Sequence, residues 1–91
     1  MALSEYDIYE LRKWFEDALN RTPKKVDKQK KMRMRRKIRD EIFLLLSWDQ
    51  PSPSAIIKRW EDRMFDVFQI MPFGFKDELL RLLINKMGAG S

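Results

Sequence analysis

The chain contains no cysteine and no histidine. Without cysteine there is no disulfide, no thiolate metal site and no thiol nucleophile, and the redox compartment leaves no mark on the sequence. Without histidine the commonest general base and the commonest metal ligand are gone. Glycine and proline are scarce, three and four in 91 residues. With no low-complexity tract, that composition argues against global disorder. Long apolar runs are missing too. The longest, Ile42 to Leu46, falls far short of the roughly 20 residues a membrane span needs. The opening residues, MALSEYDIYE, are polar and acidic, unlike a secretory signal or a basic transit peptide. These absences lead us to expect a soluble intracellular protein, cytoplasmic or nuclear.

Catalytic motifs are missing as well. There is no Gly-rich phosphate loop, no G-x-S-x-G and no H-E-x-x-H. The acid pairs Glu16–Asp17, Asp40–Glu41, Glu61–Asp62 and Asp77–Glu78 are sequence neighbours. On a helix the two members of each pair face different directions, so we read them as surface residues with basic partners nearby. No calcium-loop spacing occurs. The expectation is a non-enzyme with no catalytic residue, no metal site and no cofactor.

Apolar bulk is present in quantity: 44% of residues are hydrophobic, with three Trp and six Phe. A chain of 91 residues implies one small domain, here 1–91, with flexible ends at 1–3 and 88–91. Domains of this size bury only about 60–65% of their unfolded surface, so the core is thin. No period-2 alternation appears, whereas helical periodicity recurs along the chain. Ser4 is a good N-cap, and Asp7 completes a capping-box pattern. Ile8, Leu11, Phe15, Ala18 and Leu19 then mark one face of a helix that stops before Pro23. From residues 25 to 47 nothing breaks a second helix, whose face is Met34, Ile38, Ile42 and Leu45. Lys31 and Asp27 occupy the same face further back, so only its second half can dock on a core. Two prolines and three serines punctuate Ser47 to Ser54. Ser52 and Pro53 then start a third helix carrying Ile56, Trp60, Met64, Val67 and Met71. Pro72 and Gly74 make a turn. A fourth helix follows from Phe75 to Met87, with Gly88 placed to end it. The predicted fold is all-α: a small bundle of about four helices with a long, strongly basic second helix.

That basicity is concentrated. Residues 24–40 hold ten of the nineteen Lys and Arg: Lys24, Lys25, Lys28, Lys30, Lys31, Arg33, Arg35, Arg36, Lys37 and Arg39. The segment carries +8, while the remainder carries −3. Within it the only acids are Asp27 and Asp40. A plain solvated face would alternate signs. Crowded like charges are unfavourable, and a polyanion relieves them. Phosphates accept charge-assisted bonds from Arg and Lys, and binding them releases counterions. These ten cations are therefore the candidate nucleic-acid-binding residues, directed at the backbone of double-stranded RNA or DNA and not at bases, since Asn and Gln are scarce there.

Two other uses of the charge compete with this one. Clusters at 24–25, 30–31 and 35–37 resemble a nuclear-import signal, a weak pattern compatible with nucleic-acid binding. An acidic protein partner is equally attracted by charge. Anionic lipid fits less well, because the polar half of the helix lacks Trp, Phe or Leu to enter the interface. Met32 and Phe43 fall off the docking face of the second helix, and Phe65 points away from Trp60. Trp48 sits in the connection, where packing is the favoured reading. These four residues are candidate contacts for a protein partner or a second copy of the chain. The alternative function is thus a protein-interaction module, an adaptor or inhibitor, such as a viral or accessory protein. Tyr6 and Tyr9 read as surface residues.

Overall fold

In the computed structural model, which describes residues 3–22, 26–49 and 51–88, Ser4 opens helix α1 (Glu5–Asn20) with a full capping box. The Asp7 N–H donates to Ser4 Oγ at 3.1 Å, and the Ser4 N–H donates to Asp7 Oδ2 at 3.0 Å. Asp27 performs the same service for α2 (Lys28–Phe43), accepting from the Lys30 N–H at 2.9 Å. This cap sets the start of α2 three residues later than the sequence pattern implies. Lys24 and Lys25 lie outside the described residues.

The far end of α2 also differs from expectation. The helix stops at Phe43, and Leu44–Leu46 tighten into a 3-10 turn. There the Ser47 hydroxyl donates to the Leu44 carbonyl at 3.0 Å. The second helix is therefore not long: its 16 residues equal the 16 of α1.

Ser52 caps α3 (Pro53–Arg63), accepting from the Ala55 N–H at 3.1 Å, with Pro53 in the first turn. The expected continuous helix to Met71 is broken at Met64 (φ −122°, ψ 41°), and α4 (Phe65–Ile70) follows. No Gly or Pro marks this break. Helix α5 (Phe75–Met87) has the predicted bounds. Gly74 before it and Gly88 after it both adopt positive φ, 81° and 79°, a region glycine enters without a Cβ clash. The described residues thus form five α-helices and a 3-10 turn, with no strand.

Packing follows the apolar faces. Helix α1 packs on α2 and α3 on α5; α1 and α2 run antiparallel, since Arg35 meets Glu16 while Phe43, later in α2, shares a groove with Tyr9, earlier in α1. Met34, Ile38, Ile42 and Leu45 are all buried, as are Ile56, Trp60, Met64, Val67 and Met71. The aromatic residues knit the remaining helices together. Phe15 meets Trp60 and Phe75 edge-on, each at 5.4 Å between ring centroids. Trp14 stacks on Phe75 at 5.0 Å, and Phe68 approaches Phe75 edge-on at 5.1 Å. Such pairs each contribute about 0.5–1.5 kcal/mol beyond area burial. Phe75 thus joins α1, α4 and α5, while Phe15 connects that cluster to α3. Leu3, read from sequence as part of a flexible end, is buried against the core. The radius of gyration, 12.7 Å, is close to the roughly 12 Å of a compact chain of this length.

Two predictions follow from the helix starts. A Cβ at Gly74 would meet nothing within 4 Å, so the cost of Gly74→Ala is that of the backbone alone. Chemical denaturation is expected to show a loss of about 1–2 kcal/mol, with Gly74→Asn losing less. At the other end of the chain, the Ser4 N–H, the Ser4 hydroxyl and Lys86 hold the Asp7 carboxyl below its ordinary value, against the opposing effect of burial. A lowered folded-state pKa adds stability that is fully present above the unfolded value, about 3.9. That stability disappears as pH falls through the folded value. In acid titration followed by circular dichroism, Asp7→Asn should flatten the acid limb between pH 5 and the wild-type unfolding point, as the linkage range of about pH 5 downward implies.

Candidate nucleic-acid interface

The docking face of α2 decides where its cations point. With Met34, Ile38 and Ile42 turned inward, a rotation of about 100° per residue sorts the charges into sectors. Lys28, Arg35 and Arg39 fall on the flank toward α1. Lys30 and Lys37 fall on the flank toward α4. Arg33 and Arg36 project near the outer crown. Lys31 is half-buried at the beginning of the docking face. The basic run is therefore not one surface but two flanks and a crown.

Neighbouring helices partly neutralise the flanks. Arg35 Nε lies 2.9 Å from Glu16 Oε1 on α1, and the Arg35 guanidinium also donates to Asn20 Oδ1 at 3.4 Å. Lys37 Nζ lies 3.1 Å from Asp66 Oδ1 at the start of α4. Burial works against ionisation of the Asp66 carboxyl, but Lys37 and backbone N–H donors outweigh it and hold the carboxyl below its ordinary value. Arg39 pairs with its neighbour Asp40 at 3.3 Å. All three pairs are solvent-exposed, and such pairs contribute about 0–1 kcal/mol each. Among the described residues, no carboxylate pairs with the side chains of Lys28, Lys30, Lys31, Arg33 or Arg36. Within the basic run itself the only acids are Asp27 and Asp40. Glu16 and Asp66 lie far from these cations in the chain and are not legible as their partners, because tertiary packing delivers them.

Glu41 is a second omission. Read from the sequence as a surface acid, it is buried at 5% exposure. Its Oε1 accepts a hydrogen bond from Arg63 Nε–H, and its Oε2 lies 3.8 Å from Arg59 Nε. The Arg59 guanidinium in turn sits over the Trp48 ring, 4.7 Å from its centroid, a cation–π contact. Glu41, Arg59 and Trp48 thus tie α2, α3 and their connection together. The signal was legible: Glu41 falls three residues after Ile38, next to the apolar face.

Two grooves run beside the basic helix. Between α1 and α2, Arg12, Glu16, Met32, Arg35, Arg36 and Arg39 line a groove of about 260 Å³. On the other flank, Lys30, Arg33, Lys37 and Asp66 line one of about 330 Å³. Arg12, on α1, was not among the candidates from sequence. The candidate contact residues do not form one patch. Met32 belongs to the arginine groove. Phe43 joins Tyr9, Leu44 and Leu46 in an apolar groove of about 750 Å³ at the other end of the α1–α2 seam. Phe65 lies with Phe73 in a separate groove. Trp48 is half-buried against the core.

Among the described residues, no group of three or more Asp and Glu side chains is placed to hold a metal ion. No helix among them is long and apolar enough to cross a membrane. No protein-family model, curated protein or solved structure matches the chain.

The Glu41 clamp is expected to contribute to stability. Glu41→Gln removes the charge that its two arginines share, and a hydrogen bond to a charged group is worth about 1.5–3 kcal/mol. Both arginines are partly exposed, which lowers the expected loss to about 1–2 kcal/mol. Urea denaturation should show that loss.

Proposed function

We propose that the protein binds the phosphate backbone of a nucleic-acid duplex through α2, acting by occupancy and shielding and not by catalysis. The observation that carries this reading is the set of five cations without a carboxylate partner, Lys28, Lys30, Lys31, Arg33 and Arg36, on a helix anchored along one face. A helix of 16 residues is about 24 Å long, enough to pass many phosphates. Cations on both flanks and the crown let it contact two lines of phosphate at once. The exposed ion pairs on the flanks are weak enough to open, so Arg35, Lys37 and Arg39 add to the surface on binding. Lys24 and Lys25 extend the same charge along the sequence. With about six phosphate contacts, log K against log salt falls with a slope near −5.

Electrophoretic titration with duplex RNA, duplex DNA and single strands at two salt concentrations tests the reading. Arg33→Ala and Arg36→Ala should each weaken duplex binding and make the slope shallower by about one. Thermal stability should stay within about 0.5 kcal/mol of wild type, because both positions are exposed. Unaltered affinity in both variants would count decisively against α2.

One observation favours a second reading. The apolar groove of Tyr9, Phe43, Leu44 and Leu46 is not needed for phosphate contact, and it suits a protein-interaction module that uses the basic helix for steering. Partner capture that survives nuclease treatment and is lost in Phe43→Glu would support this reading over the first.

A further inference from the structure

We propose that the groove between α1 and α2 is a phosphate-binding subsite in which Arg12 joins Arg35, Arg36 and Arg39 on one stretch of nucleic-acid backbone, with Glu16 as a built-in competitor. This rests on the reading of α2 as the nucleic-acid surface and extends it onto a second helix.

The four guanidiniums share one groove with a single carboxylate, Glu16. Arg12 and Glu16 are four apart on α1, the spacing of an intrahelical ion pair. Glu16 nevertheless pairs across the seam with Arg35 at 2.9 Å. Arg12 is thus left without a carboxylate among the described residues, as is Arg36. Arg39 is held only by the adjacent Asp40, with both side chains more than half exposed.

Arginine, unlike lysine, presents a planar fork that matches two phosphate oxygens. All four basic groups in the groove are arginines, whereas lysines dominate the first turn of α2 and share the opposite groove with Arg33. Glu16 gives the empty groove a partner for Arg35. A phosphate entering the groove replaces that carboxylate with a stronger acceptor, and Glu16, already half-exposed, swings into water. The subsite therefore requires an anion able to displace a carboxylate, which selects phosphate over weaker polyanions.

The test is a duplex-binding titration, with duplex RNA and duplex DNA of one sequence as probes, on the full chain and its variants. Arg12→Gln should bind about tenfold more weakly, as expected for loss of one charge-assisted bond, with the salt slope shallower by about one. Glu16→Gln should bind about two- to fivefold more tightly, because Arg35 is no longer held. Arg12→Lys, which keeps the charge without the fork, should fall between wild type and Arg12→Gln.

Wild-type affinity and slope in Arg12→Gln, while Arg33→Ala is impaired, would overturn the subsite and leave the α2 reading standing. Weaker or unchanged binding by Glu16→Gln would overturn the competitor role, and it decides the matter if Arg12→Gln fails to fold. Failure of the wild-type chain to bind either duplex would remove both proposals together.

Discussion

Glu41 is the one buried charge among the described residues, and the orientation of the basic helix depends on the ion pairs it makes, since Oε1 accepts from Arg63 while Oε2 has no hydrogen-bond partner. A buried carboxylate without partners is far too costly to persist. Here the partners come from α3, as Arg59 and Arg63. The acid thus fixes α2 against α3 rotationally as well as by contact. Hydrophobic faces tolerate sliding, because burial is roughly proportional to area and carries no direction. An ion pair between two helices does not tolerate it. The aromatic cluster around Phe75 holds α1, α3, α4 and α5 together without involving α2. The basic helix is therefore attached by its own stripe, by the Glu41 clamp and by two exposed bridges.

This attachment explains how so much like charge is tolerated. Lys31–Arg35, Arg33–Lys37 and Arg35–Arg39 are like-charge pairs four apart, each costing a few tenths of a kcal/mol. Burial of one side chain such as Met34 or Ile42 contributes about 1.5–3 kcal/mol. The stripe outweighs the repulsion several times over. Glu16 and Asp66 then trim the remainder from either side. What is left is concentrated on the crown and in the first two turns, where neighbouring carboxylates do not reach.

The sequence was legible wherever local chemistry decides. Ser4, Ser52, Pro53 and Gly88 marked helix ends because caps and positive φ are properties of single residues. The spacing of Met34, Ile38, Ile42 and Leu45 identified the docking face because helical geometry is fixed. Legibility failed where partners come from afar. The break at Met64 carries no Gly or Pro, and the residues Ile56 to Met71 keep helical spacing across it. Asp27 was a readable cap, yet the run of good helix formers around it obscured the start of α2. Glu16 and Asp66 lie far along the chain from the cations they meet. Arg12 has no motif, and its place in the arginine groove appears only when α1 lies antiparallel on α2.

The same limit shapes what the charge can do. A basic run read as a string invites counting, and the ten cations then look interchangeable. In three dimensions they are not. Arg35 and Lys37 already have partners on opposite flanks, so an incoming anion must compete for them. Arg33 and Arg36 stand near the crown without a carboxylate partner among the described residues. Under the function proposed above, association proceeds from the crown outward, with weak contacts to unpaired cations preceding the exchange of flank ion pairs for phosphates. Only an anion with many closely spaced charges gains from both stages. By the same proposal, a single carboxylate on a protein partner would reach the crown but gain little against Glu16 or Asp66. Charge distribution, and not net charge, is what supports the proposal of a phosphate backbone as the partner of this helix.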